Sequence, residues 1–517
     1  MKKKILIIGS GFSSLSASCY LAKAGYNVTL LEKNSNVGGR ARLLTKDGFK
    51  FDIGPTWYWM PDIFEKFFAD FNKKPSDFYD LQQLTVINMN KVAISVFWFR
   101  RDLRLEDNCA LFNALNSEYP ILPIFIFDEA LLNELPKNDA RVNFIYNTLK
   151  NINCELEKYN ASLYVKKGNP VDIWAAIFEE FNVKNVFFNK DYEPYAIQRD
   201  AKIKLLCKQK NINCLTFKDQ VIFEEAEIVK ADGLPYSVYT PYKNKWLEKY
   251  HTNSPVEYQS ETLKENFFKS NFIFPSLSDI GFVESTIKVL PSNAGCIKKY
   301  QDIRDIPSIE TSNASVFLRF GTISVRKLAD YAHKTNQIYL SELIWREFFM
   351  QILFHYPKVV NENFKSKYNF IPWRNNEAEF KLWCEGKTGY PIVDAGMRQL
   401  NKTGAMHNRV RMITASFLCK HLLIDWRWGE AYFAKKLLDF ELASNNGNWQ
   451  WVAGTGCDSA PYFRVFNPTT QQQKFDPNYK YIKKWIPDFN KVAIPEIVSH
   501  QFARERYLKA VKQSLQD

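Results

Sequence analysis

The spacing of apolar residues changes near residue 290 of this 517-residue chain. Upstream, short apolar runs such as residues 92–99 and 121–127 alternate with helical stretches, a pattern that indicates a sheet of parallel strands. Downstream, from residue 292 to about residue 485, the apolar spacing is helical throughout. We therefore expect a multidomain chain of α/β plus all-α class, with an α/β parallel-sheet domain over residues 92–225 and a helical domain over residues 291–488.

The other segments are shorter. Residues 1–90 begin with a strand, a glycine turn, a helix and a second strand, which is a βαβ opening of the Rossmann type. Residues 226–290 contain Pro and Ser without a clear period, so we expect an interdomain linker there. Residues 489–517 form a C-terminal tail with room for one amphipathic helix at most.

The charge of the chain favours a polyanionic partner. Its formal net charge is +13 and its pI is about 9.0, which suits nucleic acid, although a basic surface also serves solubility. The nine Cys lie singly with no C-x-x-C pair, and no run of about 20 apolar residues occurs. We expect a cytoplasmic protein without a metal site or a membrane partner, acting as a monomer.

The N-terminal segment carries a glycine motif. Gly9 and Gly11 lie between a strand and a helix whose backbone amides can bind a pyrophosphate, and Glu32 ends the next strand, where a ribose hydroxyl would lie. Ser14 replaces the third glycine of the dinucleotide fingerprint. With the run VGGR at 37–40 and FDIGPT at 51–56, the segment resembles the start of phytoene-desaturase-type FAD enzymes.

That resemblance ends near residue 90, before the second wall of a dinucleotide crevice. We therefore favour a fusion remnant over a working flavin site. The residues of this candidate vestigial dinucleotide site are Gly9, Gly11, Glu32, Gly38, Gly39 and Arg40.

The α/β segment opens with the run FWFRRDLR at 97–104, a predicted strand end that leads into a charged turn. Asp107 and Asn108 follow as a helix cap and a first-turn acid. With DYEPY at 191–195 and YTPY at 239–242, this run resembles the opening of the photolyase and cryptochrome family. The resemblance implies a domain that can hold a second, antenna chromophore of folate, deazaflavin or flavin type, and an empty scaffold stays equally open.

The helical segment carries a collinear series of motifs. They are TSNAS at 311–315, SELIWREF at 341–348, EGKTGYP at 385–391, MHNR at 406–409 and NNGNWQW at 445–451. The series looks like the FAD-binding domain of class I cyclobutane pyrimidine dimer (CPD) photolyases. Together with the α/β segment, the resemblance spans residues 92–488.

Carried over residue by residue, the resemblance implies a set of FAD-binding residues. Asn445 would lie near flavin N5, where an amide oxygen can tune the cofactor's redox state. Glu441 stands where the family often has a second Asp, and Ala314 where it has Leu. The implied set is Tyr300, Thr311, Ser312, Asn313, Ala314, Ser315, Glu342, Trp345, Arg346, Arg411, Asp439, Phe440, Glu441 and Asn445.

The resemblance also implies residues for the lesion and for electron transfer. Trp345 and Trp451 would stack on a flipped pyrimidine pair, while Glu342 and Asn408 bond the base edges. The implied catalytic residues are Glu342, Asn408, Met412 and Asn445. Arg409, Arg464 and Lys474 are candidate phosphate contacts, each of which is equally an ordinary surface charge. Trp449, Trp426 and Trp373 match the family's electron-transfer chain and would also fill the core.

The function implied is light-dependent repair of cyclobutane pyrimidine dimers in DNA by electron transfer from photoexcited reduced FAD. None of the six His pairs with a recognisable nucleophile motif, which excludes the common hydrolytic mechanisms. Two alternatives are a cryptochrome-like blue-light receptor and a bifunctional fusion with a vestigial carotenoid desaturase. Met412 after Arg411 and the retained lesion residues favour repair over signalling.

Overall fold

The computed structural model describes residues 2–46, 48–52, 61–79, 92–489 and 494–515. The chain divides into two compact units, Met1–Asn88 and Met89–Asp517. Within the described residues, no helix is both long and apolar enough to cross a membrane.

The first unit has the predicted βαβ opening. Its elements are β1 (Lys4–Ile8), α1 (Phe12–Lys23), β2 (Asn27–Leu31), β3 (Leu43–Lys46), β4 (Phe49–Asp52) and α2 (Pro61–Asp70). Strands β1 and β2 pair in parallel, and β3 and β4 form an antiparallel hairpin. Of the motif at 51–56, residues 53–56 lie outside the described part.

The sheet of the first unit is poorly covered. Ile8 is 81% exposed and Leu6 58%, and Ser10 is the one buried side chain among the residues whose burial is described in this unit. The two-stranded sheet β1–β2 with helix α1 therefore buries little apolar surface among the residues whose burial is described.

The second unit begins with the predicted parallel sheet. The five strands are β5 (Ala93–Phe99), β6 (Ile121–Asp128), β7 (Tyr164–Gly168), β8 (Asn182–Asn189) and β9 (Asn213–Phe217), in the order β7-β6-β5-β8-β9. The helices between them are α3 (Cys109–Leu115), α4 (Glu129–Leu132), α5 (Ala140–Glu157), α6 (Pro170–Glu180) and α7 (Pro194–Gln209). All neighbouring strands are parallel, and β6 is buried along its whole length because helices cover both faces.

The segment expected to be a linker differs from the prediction. It contains helix α8 (Tyr239–Thr252), which buries Tyr242, Trp246 and Tyr250 at four-residue intervals. Trp246 Nε1 donates to the buried Glu347 carboxylate at 2.7 Å. The aromatic period was hidden because Pro241 and the surrounding polar residues are typical of a loop.

The predicted helical domain is confirmed. Its helices are α9 (Tyr300–Ile303), α10 (Ala314–Arg319), α11 (Val325–Thr335), α12 (Gln337–His355), α13 (Glu377–Glu385), α14 (Pro391–Thr403), α15 (Asn408–Ser416), α16 (Trp426–Lys436), α17 (Leu442–Ala453), α18 (Pro468–Phe475), α19 (Lys480–Trp485) and α20 (His500–Ser514). One core surrounds α12, with Ile344 and Phe348 fully buried, and a second forms between α14, α15 and α17. Helix α20 is the single helix expected in the tail.

The charged turn after β5 joins the sheet to the helices. Arg104 binds Asp219 at 2.7 Å, and Arg326 of α11 binds Asp219 at 2.8 Å and Asp107 at 3.0 Å, all four side chains being at most 8% exposed. Leu103 N donates to the Phe320 carbonyl oxygen at 3.0 Å. The motif at 97–104 therefore has a structural role at this junction.

Candidate functional site

A cavity of about 90 Å³ opens between α15, α16 and α17. Its wall combines polar side chains with Phe433, Leu437 and Val452. The structure brings eight of the predicted site residues to this wall: Asn408, Arg411, Met412, Asp439, Phe440, Glu441, Asn445 and Trp449.

Asp439 presents an unpartnered oxygen in this wall. Its Oδ2 accepts from Arg411 Nη2 at 2.9 Å, while its Oδ1 is buried and has no hydrogen-bond partner. Arg411 is held in turn by the Met406 carbonyl oxygen at 2.8 Å. A buried carboxylate oxygen without a donor is costly, so this atom marks a place for an N–H group of a bound molecule. The imide N–H of a flavin fits that requirement.

Asn445 is oriented by a residue that the sequence analysis missed. Its Nδ2 donates to Glu430 Oε1 at 2.7 Å and to the Glu430 carbonyl oxygen at 3.1 Å. Because both bonds use the amide nitrogen, Oδ1 is left to accept a hydrogen bond from a ligand. Burial raises the pKa of Glu430, and the hydrogen bond from Asn445 opposes that rise. No local sequence pattern marks Glu430 as a site residue, because α16 also carries the ordinary charges of Arg427, Lys435 and Lys436.

Glu441 is braced by three neighbours. Its Oε1 accepts from Arg101 Nη2 at 2.5 Å and from Arg346 Nη2 at 3.1 Å, and its Oε2 accepts from Ser444 Oγ at 2.8 Å. Burial opposes ionisation, but the guanidinium groups of Arg346 and Arg101 hold the pKa of Glu441 below its ordinary value. Arg101 belongs to the turn after β5 and was not predicted as a site residue.

The predicted phosphate side lies on α9, α10 and α12. Ser312 Oγ lies 2.9 Å from the Tyr339 hydroxyl, and the rings of Tyr339 and Tyr300 are 5.0 Å apart. Asn313 adopts a left-handed conformation with φ of 50° just before α10, and Ala314 is buried. Thr311 is half-buried and Ser315 is exposed.

The predicted lesion residues are partly engaged. Arg304, another residue that was not predicted, pairs with Glu342 at 2.8 Å. Burial raises the pKa of Glu342, and Arg304 opposes that rise. Trp345 stacks on Tyr239 with ring centroids 3.7 Å apart and planes 8° apart. Trp451 is half-buried, whereas Asn408, the first residue of α15, is exposed.

The predicted phosphate contacts differ in availability. Arg464 and Lys474 are exposed. Arg409 is half-buried, binds Asp305 at 2.6 Å and lies over the Phe475 ring at 4.4 Å. Arg409 must therefore exchange an existing partner for a phosphate.

The predicted redox tryptophans differ in burial, and one of them lines the cavity. Trp449 lies at the cavity wall and is 3% exposed, Trp426 is 1% exposed, and Trp373 is half-buried. Trp426 Nε1 donates to Asn363 Oδ1 at 2.8 Å. All three also contribute to the second helical core.

In the first unit the candidate dinucleotide residues lie close together. Gly38 N donates to the Ser10 carbonyl oxygen at 2.9 Å, and a Cβ on Gly39 would lie 3.0 Å from Gly11 Cα. Gly9 precedes this turn with φ of 90°, and Arg40 is exposed.

Glu32 is occupied by donors of its own unit. Its carboxylate accepts from Ser10 Oγ at 2.5 Å, from Ser10 N at 2.9 Å and from Asn34 Nδ2 at 2.7 Å. The hydrogen bond from Ser10 is the main reason that the pKa of Glu32 falls to about 2. A ribose hydroxyl would have to displace these donors. Among the described residues, no group of three or more His, Cys, Asp or Glu is arranged to hold a metal ion.

Three family models match the chain. The FAD binding domain of DNA photolyase matches residues 339–516, the DNA photolyase model matches residues 95–260, and an NAD(P)-binding Rossmann-like domain matches residues 7–73. The last match agrees with a Rossmann-like N-terminal unit and is not specific to desaturases.

Curated proteins resemble the chain over most of its length. It is 36% identical over 433 residues to a deoxyribodipyrimidine photo-lyase of Vibrio cholerae, covering 77% of this chain and 90% of that protein. It is 37% identical over 444 residues to the protein of the same name in Escherichia coli, covering 78% and 90%.

Solved structures of photolyases also resemble this chain over most of its length. A class III photolyase from Agrobacterium tumefaciens is 31% identical with a TM-score of 0.74, covering 84% of this chain and 100% of that one. An archaeal photolyase from Sulfolobus tokodaii with two FAD molecules is 34% identical with a TM-score of 0.71, covering 81% and 99%. A Synechocystis cryptochrome, at 24% identity and a TM-score of 0.68, shares the fold.

Proposed function

Because the chain belongs to the DNA photolyase family, we propose that it is a light-dependent lyase that binds FAD and splits cyclobutane pyrimidine dimers in DNA. The observation that carries the proposal is the cavity bordered by Asp439, Glu441 and Asn445 within the segment that the FAD-binding model matches. The chain covers about nine tenths of the photo-lyases it resembles, so the proposal concerns the whole reaction.

Bound FAD would supply a light-driven electron transfer that opens the cyclobutane ring and takes the electron back. Asp439 would accept the imide N–H with its free oxygen, while Arg411 binds the other oxygen of that carboxylate. Asn445 would accept a hydrogen bond at its amide oxygen, because Glu430 engages its nitrogen. Phe433 and neighbouring apolar side chains would exclude water from this wall.

The rest of the predicted cofactor set keeps its proposed roles. Tyr300, Ser312, Arg346 and the backbone amides around Asn313 would hold the phosphates and ribose, since free amides at a helix start favour anions. This side comprises Tyr300, Thr311, Ser312, Asn313, Ala314, Ser315, Glu342, Trp345 and Arg346, with Phe440 at the ring side.

The substrate of this reaction is a dimer flipped out of DNA. Trp345, held against Tyr239, and Trp451 would stack on the pyrimidines, while Asn408 and Glu342 bond their edges. To bond the bases, Glu342 would either release Arg304 or use the carboxylate oxygen that Arg304 leaves free. Met412 would complete the apolar side of the pocket.

The remaining predicted residues are assigned to DNA phosphate contacts and to electron transfer. Arg464, Lys474 and, after release from Asp305, Arg409 would contact DNA phosphates and make binding salt-dependent. Trp373, Trp426 and Trp449 would carry electrons from the surface to oxidised FAD.

Finer assignments belong to the same proposal. The collinear motifs at 311–451 support class I, and the similarity to the class III photolyase from A. tumefaciens makes class III the alternative. We assign residues 92–225 to an antenna domain, 226–290 to a connection that includes α8, and 291–488 to catalysis. The glycine motif at 9–40 supports a phytoene-desaturase-like remnant, which the Rossmann-like match accommodates.

The test is repair of a defined lesion. The purified protein, with its flavin reduced, is illuminated with near-ultraviolet or blue light beside an oligonucleotide that contains one thymine cyclobutane dimer. We expect light-dependent loss of the dimer, and about tenfold slower loss in E342Q. The surface variant E284Q, which breaks an exposed ion pair with Lys288, is the matched control.

Two outcomes would contradict the proposal. Bound, photoreducible FAD without repair in the full chain would favour a light sensor, and deletion of residues 1–90 would then show whether the first unit blocks repair. Failure to bind FAD would contradict the cofactor assignment itself.

A further inference from the structure

Six charged side chains meet where the α/β sheet faces helix α17. We call them the arginine cluster: Arg101, Asp191, Glu193, Arg319, Arg346 and Glu441. Three are cations and three are anions, so the cluster is neutral as a set. Buried charges of this kind are stable only when each keeps its partners.

Arg101 holds the centre of the arginine cluster. Its Nη1 binds Asp191 at 3.2 Å and Glu193 at 3.0 Å, and its Nη2 binds Glu441 at 2.5 Å. Its Nε donates to the Arg319 carbonyl oxygen at 3.3 Å, and only 10% of its side chain is exposed. The guanidinium fork thus joins two acids of the α/β domain to one acid of the helical domain, a geometry that Lys cannot reproduce.

Glu441 belongs both to the arginine cluster and to the cavity wall. It precedes α17, the helix that carries Asn445 and Trp449, and it lines the same cavity as those residues. Glu193 also reaches the start of this helix, where the Leu442 N–H donates to its carboxylate at 3.4 Å. A change at Arg101 therefore acts directly on the segment that forms the cavity.

We propose that Arg101 is a positioning residue for the flavin site, which fixes the Glu441 carboxylate at the cavity wall from the α/β domain. FAD affinity and the flavin reduction potential would then depend on a side chain outside the FAD-binding domain. This inference rests on the proposed binding of FAD in the cavity.

The charge balance of the arginine cluster predicts how loss of Arg101 changes the pKa of Glu441. Without Arg101, two guanidinium groups remain for three carboxylates, and Glu441 keeps Arg346 as its partner. Arg346 and Arg101 together hold the pKa of Glu441 down, so loss of Arg101 raises that pKa. In a variant without Arg101, the Glu441 carboxylate beside the cavity would lose its negative charge more readily as the pH falls. In the wild type, Glu441 would keep that charge.

The test compares R101Q with a neighbouring ion-pair variant. Arg100 lies in the same turn and binds Asp200 at 2.6 Å, and neither residue lines the cavity, so R100Q removes a similarly buried ion pair outside the cavity wall. FAD affinity is measured by fluorescence titration of the apoprotein, and the flavin midpoint potential is measured between pH 5 and pH 8. We expect about tenfold weaker FAD binding in R101Q and less than a twofold change in R100Q.

Two further variants separate positioning from general destabilisation. In E441Q, adding R101Q should cause little further loss of affinity, because the two residues act through one contact. R101K keeps a positive charge without the fork, and we expect partial recovery of affinity and a potential whose pH dependence matches the wild type. If circular dichroism shows that R101Q does not fold, R101K takes its place in the comparison. We then expect R101K to weaken FAD binding by more than R100Q does but by less than tenfold.

The outcomes are distinguishable. A wild-type protein that does not bind FAD overturns the proposed function and this inference together. Two results overturn only the role of Arg101, provided that the wild type binds FAD normally. One is an equal loss of FAD affinity in R101Q and R100Q, and the other is a loss from R101Q that is as large in the E441Q background as in the wild type.

Discussion

Gly321 provides a sharp test of how the sheet and the helical domain fit together. It lies just after α10 with φ of 65°, and a Cβ built on it would lie 2.0 Å from the Arg101 carbonyl oxygen and 2.6 Å from Asp102 Cα. Both atoms are backbone, so a side chain cannot rotate away to make room. G321A therefore requires the two domains to separate locally.

The cost has two parts. A left-handed conformation costs a non-glycine residue about 1–2 kcal/mol, and forcing an extra methyl group into a filled contact costs about 1–3 kcal/mol. We expect G321A to lose about 2–5 kcal/mol of stability at the junction. Gly233 separates the two parts, because its φ is 78° and nothing lies within 4 Å of a Cβ there, so G233A should lose about 1–2 kcal/mol at most.

The assay is urea unfolding followed by circular dichroism, with the midpoints of the two variants compared in one buffer. A lower midpoint for G321A than for G233A supports the close approach at the junction. Equal midpoints would refute it, because they would mean that only the backbone conformation matters.

Two other predictions concern the helical domain. In G429A, the new methyl group would lie 2.1 Å from Trp449 Cη2. We expect the indole to move and photoreduction of bound FAD to slow, as measured by absorbance under blue light, and an unchanged rate would contradict the proposed redox role of Trp449. Lys420 is buried, and burial lowers its pKa from 10.5 to about 8. Between pH 8 and pH 10.5 the unfolded state then binds more protons than the folded state, so stability should rise with pH by up to about 3 kcal/mol. Urea midpoints at pH 8 and pH 10 should show this rise in the wild type and a smaller one in K420M, and equal rises would place the cause elsewhere.

Local patterns in the sequence were sufficient for most of the fold. The strands and helices alternate as predicted over residues 92–225, and helices continue from Tyr300 to Trp485, because apolar periodicity records which face of each element is buried. Helix α8 was missed because Pro241 suggested a loop, although the buried aromatics that follow have a helical period. The βαβ opening of the first unit follows from its strand, glycine turn and helix pattern.

The site could be predicted only where a motif marks it. Eight predicted residues border one cavity, although they come from two separate stretches of sequence, 408–412 and 439–449. Glu430, Arg304 and Arg101, which orient Asn445, Glu342 and Glu441, were not predicted. Nothing local distinguishes them from ordinary surface charges, since each acquires its role from a partner distant in the chain or on another helix.

The sequence by itself therefore determined the type and order of the elements, the family and the set of residues that are candidates for binding FAD and the lesion. Tertiary structure alone decided which charges are paired and which polar atoms stay free, such as Asp439 Oδ1 in the cavity wall. The physical reason is range: backbone periodicity and capping act over a few residues, whereas burial and ion pairing depend on groups that meet only after the chain has folded. The contact between Arg101 and Glu441, 340 positions apart, exists only in the folded protein.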